Sequence, residues 1–196
     1  MAGQQRIPLW LKIAYTIMTL IIIPVYWHRL GPTNFLWFSD IALILMVPAL
    51  WLENRLIAST MAVAVLLLEL SWAADFFSGG QLTQVALYMF KDDTAGLIKL
   101  LSATFHLALP PVLLLMLIKY GYDKRAYPLQ IIIALIVIPL TYLLSGPEQN
   151  INWVYGFGEQ RTSLSPLVYL PLLTAGFILL IYTPSHFIFK RLFPPH

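Results

Sequence analysis

The sequence predicts an all-α integral membrane protein, a single bundle of six transmembrane helices with both termini in the cytoplasm. Three observations carry this expectation. The 196-residue chain is 59% hydrophobic and 11% charged, with mean hydropathy +0.77, whereas a soluble domain carries about twice that share of charge. Its apolar residues fall in runs of about 18 or more, the length that spans a bilayer. Its basic residues divide unevenly between the two sets of connecting loops, which is the signal that orients a membrane protein.

The runs cover roughly 8–27, 35–52, 56–77, 98–118, 127–144 and 165–189. The first has Arg6 and Lys12 near its start, as a signal peptide would. A signal peptide ends in a small-residue cleavage site, but this run ends in Pro24-Val25-Tyr26-Trp27-His28-Arg29. It therefore reads as a retained helix with an aromatic interfacial end. The second run opens with Phe35-Leu36-Trp37-Phe38-Ser39-Asp40, and the third holds Glu69 and Trp72. The fourth contains His106 followed by Pro110-Pro111. The fifth and sixth carry no acidic residue.

With six spans, one side holds Arg6, Lys12, Arg55, Lys119, Lys124, Arg125, Lys190 and Arg191, and the other holds Arg29, Lys91, Lys99 and Arg161. The positive-inside rule then places both termini in the cytoplasm. The net charge of +3 is thereby assigned to topology, and no nucleic-acid partner is expected. The linkers leave no room for a separate soluble domain, so residues 1–196 form one transmembrane domain. The chain has no cysteine, which excludes disulfides, thiolate metal sites and a cysteine nucleophile.

The inner linkers are short, Glu53-Asn54-Arg55 and 120–126. The outer ones, 78–97 and 145–164, are longer. The first of these suggests a short amphipathic or re-entrant element on the outer surface. The second is rich in amides, aromatics and glycine, through Asn150, Asn152, Trp153, Tyr155 and Gly158. Long loops on one face of a scaffold are where function tends to sit.

Asp40, Glu69 and His106 lie within apolar runs, each roughly 9–12 Å from the outer end at 1.5 Å per residue. Ionisable groups at that depth are costly and usually face a protein interior or a wet cavity. Asp40 also suits a helix start, where a carboxylate complements the dipole, although counting from 35 puts it beyond the first turn. Glu69 is far from any helix start and must be neutral, paired or hydrated; otherwise it is an ordinary interhelical hydrogen bond. Trp72, at i+3, shares its face and would wall a pocket. Pro110 and Pro111 free the carbonyls of His106 and Leu107, so polar partners are needed beside the imidazole. The bland alternative is a kinked helix with one satisfied histidine. Ser102 sits one turn from His106. His28 reads as an interfacial anchor, and His186 belongs to another part of the protein. Asn152 and Trp153 are candidates for lining the site, against a plain role in turn chemistry. A carboxylate–histidine metal site could be drawn from His28, Asp40, Glu69 and His106, but the spacing does not demand one. No metal or cofactor is assigned, and no standard catalytic motif is present.

Asn34-Phe35-Leu36-Trp37-Phe38-Ser39-Asp40, Trp51-Leu52-Glu53 and Pro147-Glu148 through Gly156 resemble a bacterial family of small six-helix membrane proteins that carries no assigned function. More distantly, 35–41, His106 with Leu109-Pro110, Tyr127-Pro128 and Asn152-Trp153-Val154-Tyr155 are similar to the androgen-induced family of membrane hydrolases. That resemblance implies six helices and cleavage of fatty-acyl esters by a threonine and a histidine. His106 falls at the family's histidine, and Asp40 at an acid of its second helix. The threonine position is occupied by Trp37, which cannot act as a nucleophile. Ser39 lies about 200° around the helix from it.

Two functional expectations follow. In the first, the chain is a lipid hydrolase or acyl transferase of the bacterial inner membrane acting on membrane lipids. His106 is general base, Asp40 or Glu69 orients it, and Ser39 or water attacks. Trp37, Trp72, Ser102, Asn152, Trp153 and Tyr155 line the substrate site, with the 152–153 loop as cover. In the second, it is a non-enzymatic lipid- or pigment-binding protein, or an accessory subunit with other membrane subunits as partners. A transporter fits less well, because the inner half shows few polar residues beyond Thr16, Ser59 and Thr60.

Overall fold

A computed structural model describes residues 7–92, 94–157 and 161–194. Arg6 and Gly158, used in the sequence reading, lie outside the described residues. The described chain is all-helical: α1 Leu9–Leu30, α2 Phe38–Trp51, α3 Arg55–Phe77, α4 Gly96–Tyr120, α5 Ala126–Leu144 and α6 Pro166–Leu192. Five of these, all but α2, are long and apolar enough to cross a membrane. Large apolar side chains such as Leu20, Leu100, Leu135, Leu167 and Leu180 stand exposed around the bundle, as they do when lipid is the solvent.

α2 corrects the expectation of a full span over 35–52. It has 14 residues, about 21 Å at 1.5 Å per residue, against about 30 Å of hydrocarbon. The backbone explains the shortening. Gly31 adopts φ 84°, and Pro32–Leu36 form a separate 3₁₀ turn. Trp37 is extended at φ −57°, ψ 134°, so the α-helix starts only at Phe38. Asp40 therefore sits in the first turn of α2, where a carboxylate does complement the dipole.

α3 is the central helix. Every residue from Ala58 to Leu66 is buried, the pattern of a helix enclosed on all sides. Its small residues Ala58, Ser59, Ala62 and Ala64 allow close approach, and α2, α4 and α5 pack around it. α1 leans on α2 and α4, while α6 closes the other flank against α5 and α3. α4 runs unbroken through Pro110 and Pro111. Within α6, Phe177–Tyr182 form a π-helical stretch.

The two longer loops, within 78–95 and 145–165, are built differently. After α3 the chain turns back through Gly79 (φ 72°) and Gly80 (φ 78°). A Cβ on Gly80 would stand 3.0 Å from the Leu87 backbone, so that close approach requires glycine. Asp75 holds the returning chain: its carboxylate accepts from the N–H groups of Leu82, Thr83 and Ala86, each at 2.8 Å. The short helical turn Leu87–Phe90 follows, a short element within the stretch 78–97 where one was expected. In the other loop, Asn150, Asn152 and Trp153 have φ of 40°, 50° and 59°. Asparagine tolerates that region, but tryptophan rarely adopts it. Tyr169 secures the strained residue by donating to the Trp153 carbonyl at 2.8 Å.

Candidate functional site

The sequence trio converges. Glu69 on α3 and His106 on α4 meet directly, Nδ1 to Oε2, at 2.6 Å. Asp40 on α2 lies within Coulombic range of Glu69. Asp40 and Glu69 are buried, while His106 keeps slight exposure. The Trp72 indole lies against the imidazole, with ring centroids 4.4 Å apart and planes at 19°. Phe76 stacks on the far side of Trp72. A hydrogen bond of this length fixes the orientation of the ring.

Ser102 is not bonded to His106. Its Oγ lies 2.5 Å from the Tyr88 hydroxyl, and the Tyr26 hydroxyl of α1 faces it as well. Tyr88, on the 87–90 turn, is the residue that sequence reasoning missed. It is a neighbour of Trp72, Glu69 and Asp40. Burial pushes its phenol up to about 12, so it remains a proton donor through the neutral range. Ala86 and Met89 pack on Trp72 beside it. The 78–90 loop thus covers the His106 site, a role expected of the 152–153 loop.

Residues Trp37, Asn152, Trp153 and Tyr155 gather elsewhere. Asn152 Oδ1 accepts from the Phe38 N–H at 3.1 Å, and its Nδ2 donates to the Leu36 carbonyl at 2.7 Å. The distant loop thereby supplies the N-terminal cap that α2 lacks locally. Trp37 meets Trp153 edge-on, and Trp153 stacks on Phe177 of α6. Tyr155 donates to the carbonyls of Tyr142 and Ser145. It lines a half-open cleft of about 200 Å³ with Tyr142, Arg161 and Tyr169, between the ends of α5 and α6. Ser39 is half-buried, and its hydroxyl makes no hydrogen bond among the described residues.

Two buried atoms of the His106 cluster lack hydrogen-bond partners among the described residues: Asp40 Oδ1 and Trp72 Nε1. The other Asp40 oxygen accepts from Asn34 at 3.3 Å. The Asp40 carboxylate lies within Coulombic range of the Glu69 that holds the imidazole, and the indole N–H has the Tyr88 hydroxyl as a polar neighbour, so the cluster keeps spare hydrogen-bonding capacity. His28 is exposed at the end of α1. Among the described residues no three His, Asp or Glu side chains converge to hold a metal ion.

At the opposite end, Tyr122 and His186 bond at 2.8 Å. Arg125 grips both oxygens of Asp123, and Ser59 accepts from the Asp123 N–H at 3.0 Å. Gln130, Tyr182 and Ser185 are wholly buried nearby in sequence. That end is more polar than the sequence suggested, because tyrosines and a lone glutamine inside apolar runs pass as hydrophobic.

Fold and surface together define a helical protein of the membrane class. No protein-family model matches the chain, and no curated protein or solved structure matches it.

Proposed function

We propose that the chain is an intramembrane hydrolase or acyl transferase of lipid fatty-acyl esters, with His106 as its acid–base residue. The observation that carries this reading is the 2.6 Å bond between His106 Nδ1 and Glu69 Oε2 within an apolar bundle. A carboxylate on one ring nitrogen fixes the tautomer and leaves the other nitrogen to move a proton. In this reading His106 Nε2 takes a proton from an attacking water or hydroxyl and returns it to the leaving alcohol. Water is the attacking group favoured here, since Ser102 is engaged by Tyr88 and no hydrogen bond among the described residues joins Ser39 to the imidazole. Asp40 Oδ1 and Trp72 Nε1 serve the polar part of the substrate, and Tyr88 closes over it.

The same reading takes α2 as the sixth, shorter membrane element, and places both termini in the cytoplasm of a bacterial inner membrane. The His106 cluster then opens toward the outer leaflet. The basic residues Arg55, Lys119, Lys124, Arg125, Lys190 and Arg191 at the other end support that orientation.

The test is reconstitution of the purified chain in vesicles of bacterial phospholipid doped with fatty-acyl esters of long-chain alcohols and hydroxy acids. Release of free fatty acid or a new acyl ester, measured by mass spectrometry, is expected above protein-free vesicles. No product from any of these esters would remove the proposal.

A further inference from the structure

Gln130, Tyr182 and Ser185 are each 0% exposed. Four of their polar atoms lack hydrogen-bond partners among the described residues: both amide atoms of Gln130, the Tyr182 hydroxyl and Ser185 Oγ. Tyr182 and Ser185 are three residues apart on α6 and so share a face. The Gln130 amide faces the Tyr182 hydroxyl without closing a bond to it. One turn earlier on α5, Tyr127 is bonded to Thr183 at 2.9 Å, which pins α5 against α6 beside this group. Tyr182 ends the π-helical stretch Phe177–Tyr182. An i→i+5 turn widens a helix, and such stretches recur at functional positions.

Orphaned polar atoms in a bilayer-embedded core are costly, and each calls for a partner. None of the three side chains is ionisable near neutral pH, so the site has no charge with which to hold an ion. Its inventory is two amide donors, one amide acceptor and two hydroxyls, which can both donate and accept. Water matches that inventory. It binds where two to four polar partners converge. We infer that Gln130, Tyr182 and Ser185 form an internal water-binding site between α5 and α6, separate from the His106 cluster.

Pulsed hydroxyl-radical footprinting of the wild-type protein in lipid nanodiscs tests this, because radicals generated from bound water oxidise the side chains it touches. Phe189, similarly buried in the same helix, is the internal control. Tyr182 is expected to oxidise about tenfold faster than Phe189 if water is bound beside it. Equal, slow oxidation of both would overturn the inference. A second measurement needs no labelling. In a hydrated site Gln130→Leu removes a water ligand and lowers the thermal midpoint. In a dry site the same change removes an orphaned amide and raises it, and a raised midpoint would equally overturn the inference.

Discussion

His106 and His186 each sit on a proline-bearing helix, each bonded through Nδ1 and each packed against aromatic rings. Their partners differ. His106 has a buried carboxylate, Glu69, with the Trp72 indole against its ring and Asp40 within Coulombic range of that carboxylate. His186 has a neutral phenol, Tyr122, near the charged end of the bundle. A carboxylate stabilises the imidazolium that forms during proton transfer, whereas a phenol offers only a neutral hydrogen bond. Residue type and depth therefore do not separate the two histidines; the partner on Nδ1 does.

The comparison can be broken most directly at the two partners. Glu69→Leu leaves the imidazole unoriented and should lower product formation by about 10²-fold or more, measured as initial rate in vesicles. Tyr122→Phe removes the bond to His186 and should cost about 1 kcal/mol of stability, read by chemical denaturation in detergent, with the rate kept within about twofold. If Tyr122→Phe damaged the rate as severely as Glu69→Leu, the two histidines would not differ as described.

Asn152 sharpens the same contrast from the structural side. Asn152→Ala strips the α2 cap and leaves the buried Phe38 N–H unpaired, a loss of about 1–3 kcal/mol. Its signature is faster hydrogen exchange at 36–40 with the His106 chemistry retained in the folded fraction. Loss of rate without loss of stability would instead make Asn152 part of the substrate site. Tyr88→Phe should weaken the cover by about 1 kcal/mol, seen as faster exchange over 82–90.

The smallest effect concerns the charged end. The Arg125 guanidinium, bonded to both oxygens, holds the Asp123 carboxyl down at about 2. Its folded value is depressed below the unfolded value of about 3.9. The stability it contributes is thus present above about pH 4 and is lost as pH falls toward 2. Thermal midpoints between pH 5 and 2.5 should fall more for wild type than for Asp123→Asn. Parallel curves would show that the Arg125 pairing adds nothing to stability.

Much of this was legible in the sequence. The apolar runs gave the helices, and the cost of Asp40, Glu69 and His106 at membrane depth marked the residues that converge. Trp72 followed from helical spacing alone. The shortening of α2 was not legible. Phe35, Leu36 and Trp37 continue the apolar pattern, while the break comes from the backbone at Gly31 and Trp37. Asn152 and Trp153 looked like a site cover because amides and aromatics suit one; that the loop turns instead to cap α2 depends on positive φ values that the side chains only permit. Tyr88 escaped notice because its position depends on the Asp75 clamp, which joins residues up to eleven apart. Gln130 and Ser185 carry no charge, so neither stood out within an apolar segment.

The most direct test is a paired measurement of fatty-acyl product formation in vesicles by His106→Ala and His186→Ala, each checked for a wild-type elution volume and helical content. The account predicts that His106→Ala loses the activity, by about 10²-fold or more, and that His186→Ala keeps most of it. Full activity in His106→Ala, with the fold intact, would contradict it.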